Sequence, residues 1–343
     1  MKLRILFTTI KSDELVNLNV IHSLEKEVSK HADCQWVGKG WGEHRPGEKL
    51  NESIKRLYGN DPPDWVVSNR ADLGEYKAYG SPRSDRPYGM VMTLADLHVD
   101  PQEWVRVANN GYDVTLMRYL YSPYVKKSLL GRYRYYQKID PEFYVKNLTT
   151  KIHHFPWFTD PSIYKPSSEK EYDVVFLGSS EKKVYPLRNA IVRDLPRLCK
   201  EKGWRYMLKG RPPGETTQRN ISELLNQGYI VGEKYAETIA RSKVFIFGSS
   251  IFRYPLSKYF EVMGSGALVM ADEPQTAQQL HLRDRENYVR VSKENWKKTL
   301  EYYLENDEER ERIAFKGYDT VMKYHSVAVR AKELVDLLNK SAA

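Results

Sequence analysis

The sequence predicts an α/β fold built in two halves. Short apolar runs alternate with amphipathic stretches throughout, and a proline-bearing polar stretch interrupts that alternation near the middle. At 343 residues the chain exceeds one ordinary domain and divides into two of about 150 to 180 residues. Strands separated by helices favour parallel sheets covered on both faces.

The first half opens with the apolar strand Leu3 to Phe7. Leu15, Leu18, Ile21, Leu24 and Val28 follow at helical spacing, and Gln35 to Val37 reads as the next strand. Trp65 to Ser68, Gly89 to Leu94 and Val114 to Met117 are further strand segments. The stretch from His153 to Pro166 carries Pro156, Pro161 and Pro166, runs on into the polar Ser167 to Lys170, and reads as an interdomain linker.

The second half repeats the alternation. Strand Asp173 to Leu177 precedes helix Pro186 to Lys202, strand Arg205 to Leu208 and helix Glu215 to Asn226. Strand Tyr229 to Val231, helix Tyr235 to Arg241 and strand Val244 to Phe247 come next. From Lys293 to Leu338 the pattern is helical, and Val327 to Leu338 is its last segment.

Composition sets further bounds. A hydrophobic fraction of 41% and a charged fraction of 29% belong to a globular chain. Cys34 and Cys199 are the two cysteines, which argues against a disulfide framework or a cysteine-based metal site and fits a reducing compartment. The N-terminus turns polar too quickly for a signal peptide, no apolar run approaches a membrane span, and a cytoplasmic location is the expectation. The formal charge of +9 attracts anions of every kind, among them a nucleotide, an anionic membrane and a nucleic acid.

The segment Ser257 to Asp272 carries the most information. Ser257 is a plausible N-cap, Tyr259, Phe260 and Met263 form an apolar stripe, Gly264-Ser265-Gly266 ends the helix, and Ala267 to Ala271 reads as a buried strand. Glu261 lies within that helix, near the edge where open α/β sheets bind ligands.

This unit resembles the donor-binding motif of the group-1, family-4-like glycosyltransferases. The resemblance rests on Glu261, Gly264 and Gly266, with the flanking Leu256, Ser257 and Lys258. It implies a GT-B fold: two Rossmann-like domains facing a cleft, with a C-terminal helix crossing back to the first domain. The implied division is an acceptor domain over 1–154, a linker over 155–170, a nucleotide-sugar domain over 171–325 and the crossover helix over 326–343. By the same resemblance the helix glutamate binds ribose hydroxyls, which suits a carboxylate able to accept two hydrogen bonds. Family members often carry a second acid eight positions earlier, where this chain has Arg253.

The turn after the first strand of the second half, Gly178-Ser179-Ser180, resembles the family's first glycine turn, and such a strand-to-helix turn favours phosphate. Ser179 stands where the family usually has arginine, so cations for a diphosphate must come from Lys182, Lys183, Arg188, Lys209, Arg211 or Lys258. Lys209 and Arg211 end a strand and are the expected agents on the leaving group; Arg253 has the alternatives of a phosphate, an anionic sugar or an ordinary intradomain salt bridge. Asp96 and His98 close the strand Gly89 to Leu94 and are the expected groups that orient or deprotonate the acceptor, with a plain loop contact as the alternative. No His, Cys and carboxylate cluster has metal-ligand spacing, so no metal is expected.

From Arg118 to Lys151, eight Lys/Arg residues interleave with seven tyrosines, a composition suited to an anionic acceptor or membrane surface, while tyrosines at such spacing also serve as packing. The expected activity is therefore transfer of a sugar from a nucleotide-diphosphate sugar to a hydroxyl, with retention implied by the resemblance. The nucleotide sugar is the co-substrate, no separate cofactor is expected, and the acceptor is a glycan, lipid or nucleic acid. A sugar-nucleotide epimerase of the same fold and a nucleic-acid-binding or nucleic-acid-glycosylating protein remain the alternatives.

Overall fold

The structure is a computed structural model that describes residues 2–11, 19–68, 86–95, 101–119, 146–212 and 220–342. It forms two compact units, one comprising Ile21–Pro156 with the N-terminal strand and Arg330–Ala343, the other running from Trp157 to Val329.

In the first unit, β1 (Arg4–Thr8), α1 (Asn19–Val28), β2 (Asp33–Val37), α2 (Leu50–Tyr58), β3 (Trp65–Ser68), β4 (Gly89–Leu94), α3 (Pro101–Gly111), β5 (Val114–Met117) and β6 (Lys151–His154) follow in order. Their sheet runs β2-β1-β3-β4-β5-β6 with every pairing parallel. Leu6, Val66, Met90, Met92 and Leu94 build one of its cores with Ile54 and Ala108 from the helices. His153 and His154 thus belong to a strand rather than to the linker, because Leu116 and Met117 offer them a parallel edge.

The second unit contains β7 (Tyr172–Leu177), α4 (Pro186–Lys202), β8 (Tyr206–Lys209), α5 (Ile221–Asn226), α6 (Gly232–Ala240), β9 (Ser242–Ile246), α7 (Ser257–Gly264), β10 (Leu268–Ala271), β11 (Val289–Arg290), α8 (Trp296–Glu305) and α9 (Asp307–His325). The sheet order is β11-β10-β9-β7-β8, again parallel throughout. Period-two alternation divides its strands between two cores. Val175, Leu177, Phe245 and Phe247 face α6 and α7, whereas Val174, Phe176, Val244 and Ile246 face α4 and α8. The last helix, α10 (Val327–Ala342), joins the first unit from Arg330 onward, where Glu333 accepts from His153 at 2.8 Å.

Three local readings change. Among the described residues Tyr229 to Val231 pairs with no strand; it leads into α6, and Val231 is that helix's N-cap. Asn220 caps α5 through Ser222 N and Glu223 N, so the described helix begins at Ile221. Helix α7 begins at Ser257 itself, with Leu256 as N-cap and no side-chain cap bond. Among the described residues no helix is long and apolar enough to cross a membrane.

Candidate functional site

The carboxyl ends of β7, β8, β9 and β10 set one edge of the second sheet, and the loops leaving them gather the charged groups. Gly178 follows β7 with φ +148°, a conformation that side-chain-bearing residues rarely adopt. Its N–H donates to Lys209 O at 3.1 Å, tying the β7 and β8 ends together. A Cβ built on Gly178 would sit 3.5 Å from Arg188 Nη1, 3.5 Å from Lys258 Cε and 3.8 Å from Lys258 Nζ. A glycine turn, a cation from α4 and a cation from the first turn of α7 therefore converge on one point.

Each cation is positioned by its own contacts. Arg188 is buried; its Nε donates to Gly248 O, its Nη1 donates to Ser179 O at 3.0 Å, and its guanidinium lies 3.9 Å from the Tyr185 ring centroid. Burial lowers its pKa, opposed by Tyr185 and Asp272, and an arginine keeps its charge through such a shift. Half-buried Lys258 is more sensitive: burial lowers its pKa to about 8, Glu261 opposes that, and Arg188 and Arg211 add to it.

Glu261 lies three residues further along α7, on the same helical face as Lys258, and is 8% exposed. Tyr235 from α6 donates its hydroxyl to Glu261 Oε2 at 3.1 Å and accepts from Lys258 Nζ at 3.2 Å. The phenol of buried Tyr164 is near enough to Glu261 to act on it electrostatically. A turn fixes Tyr164, whose N–H donates to Asp160 O at 2.8 Å while Asp160 Oδ1 accepts from Ser162. Burial and the adjacent carboxylate hold both phenol pKa values well above the usual range, so both phenols stay protonated.

Beneath the site, Asp272 ties the β9 loop to the β10 end by accepting from Ser249 N at 2.6 Å and Ser249 Oγ at 2.8 Å. Arg253 belongs to this scaffold. Its φ is +53°, its Nε donates to Glu273 O at 2.8 Å, and its Nη2 is 3.6 Å from Glu273 Oε2. The intradomain salt bridge, one of the alternatives for this residue, is thus present.

Of the remaining sequence candidates, Lys209, Arg211 and Lys183 are exposed: Lys209 ends β8, Arg211 lies just past it, and Lys183 is on the turn after Gly178. Arg211 is near enough to Lys258 to act on it electrostatically, and Lys209 contributes its backbone carbonyl. Gly264 and Gly266 do not lie where backbone approach to a donor was expected. They precede β10 and so stand at the opposite edge of the sheet, where a Cβ would collide with Thr159 Oγ1 and, at 2.9 Å, with Pro166. Their small size serves linker packing. Asp96 and His98 lie outside the described residues, as do 120–145 of the basic tyrosine-rich segment. Arg118 of that segment is buried rather than displayed, with Nη1 donating to Phe155 O at 3.3 Å. Among the described residues no group of three His, Cys, Asp or Glu could hold a metal ion.

Tyr164 and Tyr235 escaped the sequence reading. Each looks like a packing aromatic in its own segment, and only the fold brings both phenols near Glu261.

Residues 188–336 match the family described as "Glycosyl transferase-like". The chain is similar in structure to a sucrose-phosphate synthase from Thermosynechococcus elongatus at 12% identity, 99% coverage of each chain and TM-score 0.61. It is similar to Anabaena HepE in complex with UDP-glucose at 12% identity, TM-score 0.60, covering 98% of this chain and 99% of that one. A glycosyltransferase from Rickettsia africae aligns at 13% identity and TM-score 0.57, over 99% of this chain and 98% of that one. No curated protein sequence matches. The family match falls within residues 188–336, and the two parallel-sheet units with these structural likenesses define the fold as GT-B.

Proposed function

We propose that the second unit binds a nucleoside-diphosphate sugar and that the protein transfers the sugar, with retention, to a hydroxyl acceptor. The observation carrying this reading is the convergence of Gly178, Arg188 and Lys258 at the carboxyl edge of the sheet, with Glu261 one helical turn away. Two cations and the first turn of α7, a positive dipole end without a side-chain cap, suit a diphosphate. Departure of the nucleoside diphosphate needs its growing charge stabilised, which preorganised cations do without a metal. Lys258 and Arg188 take the leading role expected of Lys209 and Arg211, both of which are exposed. Glu261 keeps acceptor capacity beyond its bond to Tyr235, and the ribose diol is its partner.

Binding of UDP-glucose by the similar HepE supports a nucleotide sugar as the donor class. Donor binding is proposed to be metal-independent and to need no separate cofactor. The acceptor, a glycan, lipid or nucleic acid, belongs to the first unit, with Asp96 and His98 as proposed acceptor-side residues; location in the cytoplasm and contact with an anionic membrane through Arg132 and Arg134 stand as further proposals.

Thermal-shift titration with UDP-, GDP-, ADP- and dTDP-sugars tests the reading, since a ligand of the folded state raises the apparent melting temperature. The expected result is a saturable rise with one nucleotide class, unaffected by EDTA, and release of the nucleoside diphosphate during turnover. No rise with any of them overturns the reading. An altered free sugar nucleotide as the product points instead to an epimerase.

A further inference from the structure

We infer that Tyr235 is a positioning residue whose hydroxyl keeps Lys258 and Glu261 apart, so that the cation stays directed to the diphosphate and the carboxylate to the ribose. The inference rests on the proposed nucleotide-sugar site and adds a residue that the site's chemistry requires.

Lys258 and Glu261 are three apart on α7, a spacing at which opposite charges on a helix face pair directly. They do not form an ion pair here. The Lys258 Nζ donates to Tyr235 OH at 3.2 Å, and that same oxygen donates to Glu261 Oε2 at 3.1 Å. The Tyr235 ring also lies under the ammonium, 5.1 Å from Nζ to its centroid, so phenol and ring together hold the lysine away from the acid. On the other side, the Gly178 turn and Arg188 border the lysine stem.

Without the Tyr235 hydroxyl, the half-buried ammonium and the buried carboxylate are each other's best partners, because an unpaired charge in this environment is costly. A direct pair would withdraw both groups from the donor at once. The groups facing Lys258 are Glu261 on its own helix, Tyr235 from α6, Arg188 from α4 and Arg211 beyond β8. Direct pairing with Glu261 would raise the lysine pKa, against the downward push of burial and the two arginines.

The test first titrates wild type with UDP, GDP, ADP and dTDP, takes the nucleotide that binds, and then compares Tyr235→Phe across pH 6.5 to 9.5 by calorimetry. The expected result at pH 7 is an affinity loss of about tenfold with an unchanged melting temperature. The pH midpoint at which affinity falls should also move upward by about one unit, a change that loose packing would not cause. A double variant, Tyr235→Phe with Glu261→Gln, leaves Lys258 no carboxylate to collapse onto. Its affinity for inorganic pyrophosphate should return to the wild-type value after falling in the single variant. If Tyr235→Phe does not fold, Tyr235→Met, which also lacks the hydroxyl, replaces it in both comparisons. Wild-type affinity and midpoint in the single variant, or no pyrophosphate recovery in the double, overturns the spacer role while leaving the donor site standing. Failure of wild type to bind any of the four nucleotides overturns the donor site itself.

Discussion

Arg188 donates its Nη1 to the carbonyl of Ser179 at 3.0 Å, so the glycine turn after β7 and the cation that borders it are fixed as one piece. The turn depends on Gly178, whose φ of +148° excludes ordinary side chains. The contacts a new Cβ would make, 3.5 Å to Arg188 and Lys258, are ordinary ones. Gly178→Ala should therefore lose stability through its backbone, by about 1 to 3 kcal/mol, and weaken nucleoside-diphosphate binding as the turn relaxes away from the two cations. Urea unfolding and calorimetry on the same sample check both halves. An alanine variant with wild-type affinity would separate the turn from the donor.

Glu261 offers a second check. Because Tyr235 donates to it, Glu261→Ala strands a buried hydroxyl and should cost about 1 to 3 kcal/mol of stability besides affinity. Alanine at an open helix position would be nearly free, so the carboxylate's partner turns an apparently clean substitution into a structural one. Glu261→Gln keeps an acceptor oxygen and is the cleaner probe. It should keep most of the stability and lose donor affinity by about tenfold, read by urea unfolding beside titration.

The sequence made the architecture legible because β7, β9 and β10 are near-continuous apolar runs and their helices carry amphipathic stripes. Short segments failed. Tyr229 to Val231 has strand composition but finds no neighbour to pair with among the described residues, and the two-residue β11 is too brief to leave a periodic signal. The site was half legible for a similar reason. Glu261, Gly178 and Lys258 sit at motif positions or strand ends, where local order says which way they face. Which glycine serves a ligand is not local information. Gly178 and Gly264 look alike in the chain, and only sheet direction puts them at opposite edges. Likewise Arg253 reads as a loop cation until Glu273 is seen beside it.

Lys258 gives a pH dependence whose sign is fixed. Burial lowers its folded pKa to about 8 from an unfolded value of 10.5. Between those values the unfolded chain holds more protons, so stability rises with pH across the window, and below about 8 the folded state carries the full cost of the buried ammonium. Lys258→Met should then be more stable than wild type at pH 7 by about 1 to 3 kcal/mol, with the advantage fading toward pH 10.5. The same variant should lose nucleoside-diphosphate affinity, and wild-type affinity should fall as pH rises through about 8. Unfolding curves at pH 7 and pH 10 paired with titrations decide it. A variant less stable at pH 7 would contradict the burial cost.

Gly264 should behave in the opposite way from Gly178. A Cβ there collides with the Thr159 side chain, so Gly264→Ala overpacks the linker contact and should cost about 1 to 3 kcal/mol. Donor affinity of the folded variant should stay at wild type, because the residue lies at the amino edge of the sheet. Lost affinity at unchanged melting temperature would return this glycine to the donor site.

His154 tests the first unit by acid. Its ring lies on β6, half-buried, and its Nε2 is buried without a hydrogen-bond partner. Burial lowers its pKa to about 4 from the ordinary 6.5, Arg330 and His153 push the same way, and Glu333 opposes them. The folded chain thus keeps this imidazole neutral while the unfolded chain protonates it, and stability drains as pH falls from about 6.5 to about 4. At pH 5 the loss is about 2 kcal/mol relative to pH 7. His154→Phe removes the titrating group and the orphaned nitrogen together, so it should be near wild type or better at pH 7 and should flatten the slope between pH 7 and pH 5. Urea unfolding at those two pH values, followed by tryptophan fluorescence, measures the difference directly. An equal loss in wild type and variant would assign the acid sensitivity to other groups.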